Sequence, residues 1–281
     1  MPELPEVQSI VNTLGQSHDG IPSVVGQIIT HVHTLWEGTI AEPDLITFKQ
    51  LMPGRFVKDI TRRGKFVHII LDKGHLLMHL RMSGDLLMET LSLTDDLQYQ
   101  RKHDRVIFEF SSGWQLVFID PRKFGRIWLT DNPETQFKRL GLEPFDPELT
   151  TDRFFSLLSK SKKKIKPLLL DQSFIAGLGN IYTDESLFLA KIHPLRRADE
   201  LSMQEVGNLL DVIRLVLSQA ITRNGTSIDW VYRGGTNQNH LNVYQKDGTA
   251  CSECGTLIER SVIGQRGTHF CPVCQPMITK G

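Results

Sequence analysis

The clearest chemical signal in the sequence is a set of metal-binding cysteines. The chain holds four cysteines, arranged as two CxxC pairs: Cys251 with Cys254, and Cys271 with Cys274. Two intervening residues allow both thiolates of a pair to reach one ion, and two pairs complete the tetrahedral shell that zinc prefers. Disulfides or redox CxxC pairs are the alternatives, but they require an oxidising compartment or a thioredoxin-like unit. The spacing predicts one structural Zn²⁺ per chain, because four thiolates leave no position open for water.

A second reactive group is found at the amino terminus, where the chain begins Met1-Pro2-Glu3-Leu4-Pro5. Removal of Met1 would expose Pro2 as a secondary amine, and an α-amino group has a pKa of about 7.7–8.0, against about 10.4 for lysine. Part of such a group is uncharged at neutral pH, so it can serve as a nucleophile. The alternative is structural: the prolines stiffen the start of a helix, and Glu3 favours the helix dipole.

The overall composition is that of an ordinary globular protein. Of 281 residues, 40% are hydrophobic, and 32 Lys and Arg residues balance 32 Asp and Glu residues. These values exclude a disordered or fibrous chain. No segment has the apolar length of a membrane span, and the amino terminus lacks the pattern of a secretory signal, so we expect an intracellular protein with no membrane partner. Because the net charge is near zero, binding of a polyanion must depend on local clusters of basic residues.

Several such clusters occur along the chain. They are Arg62, Arg63 and Lys65; Arg101, Lys102 and Arg105; Arg122, Lys123 and Arg126; and the run Lys160, Lys162, Lys163, Lys164 and Lys166. Any one cluster is typical of a solvated surface, but their number favours contact with a polyanion.

The predicted secondary structure that positions these residues differs between the two halves of the chain. The first half begins with a short amphipathic helix and continues with short apolar runs that have no helices between them, a pattern that indicates an antiparallel sandwich or barrel. The predicted strands are Val24–Val32, Arg55–Ile60, Phe66–Leu71, His75–Leu80, Val106–Phe110, Gln115–Ile119 and Arg126–Leu129.

The second half, after Asn132-Pro133, is predicted to be mainly helical. Its longest helix is expected from about Ser202 to Asn224, because Ser202 and Glu205 match a capping box and Gly225 is a typical stop. The following stretch, from Gly225 to Asn242, is rich in Gly, Asn and Thr and is predicted to be a functional loop.

Six separated motifs carry a resemblance that covers nearly the whole chain. They are Met1-Pro2-Glu3-Leu4-Pro5-Glu6-Val7, Arg62-Arg63-Gly64-Lys65, His79-Leu80-Arg81-Met82-Ser83-Gly84, Asp120-Pro121-Arg122-Lys123-Phe124-Gly125, Gly177-Leu178-Gly179-Asn180-Ile181-Tyr182, and the CxxC pairs around Gln265-Arg266. In these motifs and their order the sequence resembles bacterial formamidopyrimidine-DNA glycosylase. Lys123 and Asn224-Gly225 depart from residues frequent in that family, and neither touches the implied chemistry.

The resemblance implies an α+β multidomain fold. We expect a catalytic domain at 1–133, made of an N-terminal helix and an antiparallel β-sandwich, and a linker at 134–149. A helix-two-turn-helix DNA-binding domain with a lesion-capping loop is expected at 150–243, and a zinc finger at 244–281.

The function implied by the resemblance is base-excision repair. Such an enzyme removes oxidised purines, 8-oxoguanine and formamidopyrimidines among them, through a Schiff base on the N-terminal proline, and then cleaves the abasic strand by β,δ-elimination. The implied partner is double-stranded DNA that contains oxidised purines or abasic sites. The enzyme is expected to act as a monomer in the bacterial cytoplasm, associated with the nucleoid while acting.

The resemblance also assigns catalytic roles to particular residues. Pro2 would be the nucleophile, and Glu3 would protonate the opening sugar ring and shuttle protons. Lys65 would lie near the phosphates and assist elimination, and Arg266 would grip the phosphate that flanks the lesion.

The implied DNA contacts are His79, Met82, His103, Arg122, Phe124, Lys162, Lys166 and Asn180. Met82 would enter the gap left by a flipped nucleotide, Phe124 would wedge beside the orphaned base, and Arg122 would bond to it. Lys166 and Asn180 would hold phosphates of the damaged strand. Without the resemblance, Met82 and Phe124 would be interpreted as core residues and Arg122 as a turn charge.

Two other functions stay open on the sequence. An endonuclease VIII-like glycosylase for oxidised pyrimidines belongs to the same superfamily, but such enzymes usually begin Pro-Glu-Gly-Pro, and Leu4 stands here. A non-catalytic zinc-finger protein that binds nucleic acid would also carry the cysteines. A dinucleotide-binding fingerprint is excluded, because Tyr182 stands where its third glycine is required.

Overall fold

The computed structural model describes residues 1–90, 101–227 and 234–277. They belong to two units, of which the first joins Met1–Phe137 with Asn224–Gly235 and the second joins Lys138–Arg223 with Thr236–Gly281. No helix in these described ranges is long and apolar enough to cross a membrane.

Unit 1 is a β-sandwich that begins with helix α1 (Leu4–Gly15) and also holds the short helices α2 (Leu45–Leu51) and α3 (Glu134–Phe137). Its strands are β1 (Ile29–Thr34), β2 (Ile40–Glu42), β3 (Val57–Arg63), β4 (Phe66–Leu71), β5 (His75–His79), β6 (Asp85–Thr90), β7 (Asp104–Phe110), β8 (Trp114–Ile119) and β9 (Arg126–Thr130). They form two sheets, ordered β1-β7-β8-β6 and β2-β9-β5-β4-β3. The described strand pairs are antiparallel except β2 with β9.

The core of unit 1 is built from alternate residues of both sheets. Val106, Phe108 and Phe110 on β7 point into one apolar cluster with Leu76 and Met78 on β5. The apolar face of α1 joins the same cluster, which buries the helix against the sandwich. Burial of this kind stabilises a fold by roughly 25 cal/mol per Å² of apolar surface. The predicted helix-plus-sandwich architecture is therefore confirmed.

Unit 2 combines helices with a two-stranded hairpin. Its elements are α4 (Thr151–Leu158), α5 (Ile165–Leu170), α6 (Asn180–Leu189), α7 (Met203–Thr222), β10 (Glu259–Ile263) and β11 (Arg266–Phe270). The predicted long helix is confirmed as α7, and its capping box is formed: Glu205 N–H donates to Ser202 Oγ at 3.2 Å, and Ser202 N–H donates to Glu205 Oε2 at 2.8 Å.

The structure differs from the predicted strands in several places: β2 and β6 were not predicted, and β1 and β3 are shifted. Strand β1 is shifted toward the C-terminus, because residues before it bond irregularly: Val24 N–H donates to the carbonyl of Leu14 rather than to a sheet neighbour. Strand β6 was not predicted from its sequence, Asp85-Leu86-Leu87-Met88-Glu89-Thr90. Leu87 faces outward and is 40% exposed, so the apolar residues form a run instead of the alternation that marks a strand.

Residues 224–235 group with unit 1, although the predicted helix-two-turn-helix domain includes them. The backbone N–H of Thr226 donates to Glu6 Oε1 at 2.8 Å, which joins this segment to α1. A Cβ added at Gly225 would lie 2.7 Å from the same oxygen, so only glycine permits the approach. The segment that follows α7 is therefore bonded to α1 within unit 1.

Candidate active site and nucleic-acid interface

The start of α1 is fixed by the carboxylate of Glu6. This carboxylate is buried, and its Oε2 atom accepts a hydrogen bond from the backbone N–H of Glu3 at 2.7 Å. Glu3 is the N-cap of the helix and only 3% exposed, and it follows the buried Pro2. Glu6 is not among the predicted site residues, although a glutamate three residues after an N-cap is the signature of a capping box. Its bonds hold the backbone of the amino terminus in one position.

Lys65 lies in the tight turn between β3 and β4, where Gly64 adopts a φ of 57°. Its side chain is buried. The turn is connected to α1 through Arg62, whose Nε atom donates to Gln8 Oε1 at 2.9 Å. The strand that leads into the Lys65 turn is therefore bonded to the helix that follows Pro2.

His79 ends β5 and is held in its neutral form. Burial first, and then the positive charges of Arg81 and Lys65, lower the pKa of His79 to about 3. Its Nδ1 atom accepts a hydrogen bond from the Arg81 N–H at 3.0 Å, which assigns the ring proton to Nε2. Phe66 packs edge-on against the ring, with centroids 4.7 Å apart. His79 can therefore act as a neutral hydrogen-bond donor at physiological pH.

The predicted wedge residues, Met82, Arg122 and Phe124, lie on two loops of unit 1. Met82 is half-buried in the turn between β5 and β6, whereas Arg122 and Phe124 are exposed in the loop between β8 and β9. The Arg122 guanidinium carbon lies 4.9 Å from the centroid of the Phe124 ring, so these two side chains are already paired. Phe124 is 47% exposed, which contradicts the alternative that it is a core residue.

His103 and Lys162 differ in the solvent exposure of their side chains. His103 is half-buried, and its Nδ1 atom is a buried nitrogen with no hydrogen-bond partner among the described residues. Lys162 is exposed on the connection between α4 and α5, as expected for a phosphate contact.

Lys166 departs from its predicted role as a phosphate contact. Its side chain is fully buried, and its ammonium donates to Asp184 Oδ1 at 2.6 Å and to the carbonyl of Gly267 at 2.9 Å. Asn180 Nδ2 donates to the same carbonyl at 2.9 Å. In this structure both side chains hold the hairpin residue that follows Arg266, and the Lys166 ammonium is not presented to solvent. They therefore fix the position of Arg266 within unit 2.

Asp184 completes this buried group and was not predicted. Its Oδ2 atom accepts a hydrogen bond from the His269 N–H at 3.0 Å on β11, while its Oδ1 atom binds Lys166. The carboxylate thus joins α5, α6 and the hairpin. A lone aspartate in a helical sequence carries no signal of this role, because its partners are distant in the chain.

We expect Asp184→Asn to destabilise unit 2 by about 3–5 kcal/mol, because the Lys166 charge would stay buried without its counter-charge. The measurement is the free energy of unfolding in urea. Lys163→Gln is the matched control, since it breaks the exposed pair of Lys163 Nζ and Asp171 Oδ2, 3.2 Å apart, and should cost at most about 1 kcal/mol. Equal losses in the two variants would contradict a special role for the buried pair.

Arg266 is the first residue of β11 and projects from the tip of the hairpin. It pairs with Ile263 across the turn Gly264-Gln265, in which both residues adopt positive φ angles of 57° and 62°. Its side chain is exposed. The hairpin therefore presents the Arg266 guanidinium at its tip, and Lys166 and Asn180 bind the carbonyl of the next residue, Gly267.

The four predicted cysteines converge on one point, with their Sγ atoms all within 4.8 Å of one another. The Cys254–Cys271 and Cys251–Cys274 sulfur pairs lie 3.5 and 3.9 Å apart. A zinc tetrahedron with bonds of about 2.3 Å has an edge of about 3.8 Å, so the spacing fits that ion. Backbone N–H groups also point at two of the sulfurs, as thiolates require. The prediction of one structural Zn²⁺ is confirmed.

The predicted site residues are shared between the units. Unit 1 holds Pro2, Glu3, Lys65, His79, Met82, His103, Arg122 and Phe124. Unit 2 holds Lys162, Lys166, Asn180, Arg266 and the four cysteines.

Family models match three consecutive regions of the chain. Residues 1–127 match "Formamidopyrimidine-DNA glycosylase N-terminal domain", residues 140–231 match "Formamidopyrimidine-DNA glycosylase H2TH domain", and residues 248–276 match "Zinc finger found in FPG and IleRS".

Full-length relatives carry the same name. The formamidopyrimidine-DNA glycosylases of Roseiflexus sp. (strain RS-1) and Bacillus anthracis are 43% and 38% identical to the chain, covering 98% and 99% of it and 100% of each relative. Among solved structures, a complex of Lactococcus lactis Fpg with DNA containing an abasic site gives a TM-score of 0.88 at 36% identity. MutM in complex with DNA containing carbocyclic 8-oxo-G gives 0.88 at 38% identity. Both cover 98% of this chain and 100% of the solved one.

Proposed function

The chain belongs to the formamidopyrimidine-DNA glycosylase family and is a base-excision repair enzyme for oxidised purines, and from this premise we propose which of its residues perform the glycosylase and AP lyase steps. Pro2 is the nucleophile, and Glu3 is the acid–base catalyst. The observation that carries this assignment is the amino terminus itself, where the buried Glu3 follows Pro2 at a helix start fixed by Glu6.

The Pro2 nitrogen becomes a nucleophile once Met1 is removed. Its lone pair forms a bond to C1′ of the damaged nucleotide while the bond from C1′ to the base breaks. The base leaves with that electron pair and takes up a proton. Opening of the sugar ring then leaves an iminium ion on C1′, so one residue joins base removal to the strand chemistry.

Strand cleavage follows from the acidity of that iminium ion. Loss of a proton from C2′ neutralises the cation and expels the 3′ phosphate, and a second elimination expels the 5′ phosphate. Glu3 moves the protons, since its carboxylate lies next to the reacting nitrogen in the chain. Lys65 and Arg266 hold the phosphates that leave or flank the lesion, and neutral His79 donates through Nε2.

Excision also requires the nucleotide to leave the stacked duplex. Met82 fills the gap, Phe124 wedges beside the orphaned base, and Arg122 bonds to that base. The exposure of Phe124 and its pairing with Arg122 support this assignment. An apolar ring can stack beside the orphaned base, while one guanidinium can bond to the unpaired edge of that base.

Other parts of the chain supply contacts to the bound strand. His103, Lys162 and Asn180 are proposed phosphate or sugar contacts, and Lys166 supports Arg266 from within unit 2. The loop 225–242 is the proposed cap over the flipped base, and its residues 228–233 lie outside the described ranges.

We assign domain roles on the same grounds: catalysis at 1–133, a linker at 134–149, DNA binding and lesion capping at 150–243, and the zinc finger at 244–281. The enzyme acts on double-stranded DNA as a monomer, since every proposed catalytic residue is present in one chain. Its place of action is the nucleoid in the bacterial cytoplasm.

We expect the enzyme to excise 8-oxoguanine from a duplex at least about tenfold faster than thymine glycol. An oxidised-purine glycosylase should show this preference, whereas the alternative enzyme for oxidised pyrimidines should show the opposite one. Single-turnover cleavage of the two duplexes measures this ratio. Borohydride reduction on abasic DNA separates both enzymes from a zinc-finger binding protein, because only a Schiff base becomes an irreversible cross-link. A preference for thymine glycol would reject the purine assignment.

A further inference from the structure

Both loops that carry the wedge residues contain strained backbone beside those residues. Arg81, which precedes Met82, has a φ of 54°, and Lys123, between Arg122 and Phe124, has a φ of 61°. Residues with a Cβ rarely adopt this left-handed conformation, so it persists only where the surroundings impose it. The positions of the wedge side chains are therefore set by contacts elsewhere in the loops.

Each loop packs closely against a residue at or just after the end of the strand that precedes it. A Cβ added at Gly84 would lie 2.5 Å from the Leu80 carbonyl oxygen, and a Cβ added at Gly125 would lie 2.5 Å from the Phe118 ring. Neither approach leaves room for a side chain. The bases of both loops are thus fixed to the sandwich, and the bonds across the loops decide how the wedge residues lie relative to one another.

One carboxylate makes those bonds. Asp120 follows β8 and is fully buried. Its Oδ1 atom accepts hydrogen bonds from Ser83 Oγ at 2.5 Å and from Arg122 N–H at 3.1 Å, and its Oδ2 atom accepts one from Gly125 N–H at 2.7 Å. Ser83 is the residue after Met82. The carboxylate therefore binds the Met82 loop and the Arg122–Phe124 loop at the same time.

The backbone of Asp120 is also held on both sides. Its carbonyl accepts from Arg105 Nε at 2.7 Å, and its N–H donates to the carbonyl of His103 at 2.8 Å. A buried acceptor that loses a partner costs more than the bond itself contributes, because the group stays desolvated. The arrangement resists independent movement of the two loops.

We propose that Asp120 and Ser83 form a positioning pair that makes Met82, Arg122 and Phe124 enter the duplex as one unit. The pair acts through the wedge residues and touches neither the base nor the sugar. It controls the extrusion of the damaged nucleotide and leaves the chemistry at Pro2 unchanged. The proposal rests on the wedge assignment made under the proposed function.

The decisive variant is Ser83→Ala, which removes the bond from Ser83 Oγ to Asp120 Oδ1 and the bond that Ser83 Oγ accepts from Arg122 N–H at 3.3 Å. It keeps the two N–H bonds to Asp120. We expect single-turnover excision of 8-oxoguanine from a duplex to fall by about tenfold. Cross-linking to an abasic site in single-stranded DNA should stay within about twofold, because that sugar needs no extrusion. A 2-aminopurine base placed beside the lesion should show less unstacking. Ser112→Ala, in the exposed turn between β7 and β8, is the matched control and should change none of these values.

Asp120→Asn tests the other member of the pair. An amide would place an NH2 group where the carboxylate accepts a hydrogen bond from Ser83 Oγ, Arg122 N–H or Gly125 N–H. We expect a larger loss of duplex excision than in Ser83→Ala, again with single-strand cross-linking retained. Ser83→Thr keeps a hydroxyl and should recover part of the rate. The thermal midpoint of each variant shows whether it is folded.

The outcomes separate this inference from the proposed function. If Ser83→Ala excises at the wild-type rate, or if duplex excision and single-strand cross-linking fall together, the positioning pair is rejected. Failure of the wild-type chain to cross-link abasic DNA would instead reject Pro2 as nucleophile. Folded Asp120→Asn with unchanged duplex excision would also overturn the inference.

Discussion

A chain that keeps any residue ahead of Pro2 is expected to lose at least about a thousandfold in excision rate, because an acylated proline nitrogen has no free lone pair to form the Schiff base. An uncleaved tag at the amino terminus makes this change without altering any side chain. Single-turnover excision of 8-oxoguanine and borohydride cross-linking to abasic DNA are the measurements. Cross-linking should disappear, while affinity for undamaged duplex should stay within about threefold.

The control for this experiment is the same tag placed after Gly281. That protein should excise and cross-link normally, since its amino terminus is processed. The mass of the untagged chain should be lower by one methionine. An amino-terminally tagged protein that still incised at the full rate would rule out Pro2 as the covalent catalyst.

The second large effect is expected on zinc loss. Cys271→Ser removes a ligand whose sulfur is fully buried against Phe188, Val243 and Ile258. The hairpin that carries Arg266 should unfold, because the binding energy of a structural zinc is folding energy for so small a module. We expect duplex affinity, measured by fluorescence anisotropy, to fall by roughly a hundredfold as phosphate contacts are lost.

Ser252→Ala is the matched control for that variant. It changes an exposed serine in the same cysteine loop and should leave both zinc content and affinity as in wild type. Chelation of zinc from the wild-type chain should reproduce the Cys271→Ser result. Full duplex binding by the metal-free protein would contradict the role of the finger.

Sequence alone predicts those parts of the site whose partners are close in the chain. The cysteine pairs carry their ligand geometry in a two-residue spacing, and the capping box of α7 carries its bonds in a three-residue spacing. In each case the physical constraint acts over one turn, so the pattern is visible locally.

Lys166 shows where such prediction ends. In sequence it closes a basic run that begins at Lys160, and nothing local separates it from its exposed neighbours. Its burial depends on Asp184 and on the carbonyl of Gly267, which lies 101 residues further along the chain. The bonds of Asp120 to Ser83 and of Glu6 to Thr226 are similar cases, since these partners are brought together only by the tertiary fold.

The bond between Glu6 and Thr226 has a consequence for synthesis of the enzyme. Unit 1 is discontinuous, so the start of α1 is tied to a segment that leaves the ribosome only after α4–α7 have been made. A nascent chain that carries all the strands of the sandwich still lacks Thr226, whose N–H binds Glu6 at the start of α1. The start of α1 therefore gains this bond late in translation, after α4–α7 and before the hairpin β10–β11, and a product truncated before Thr226 lacks it.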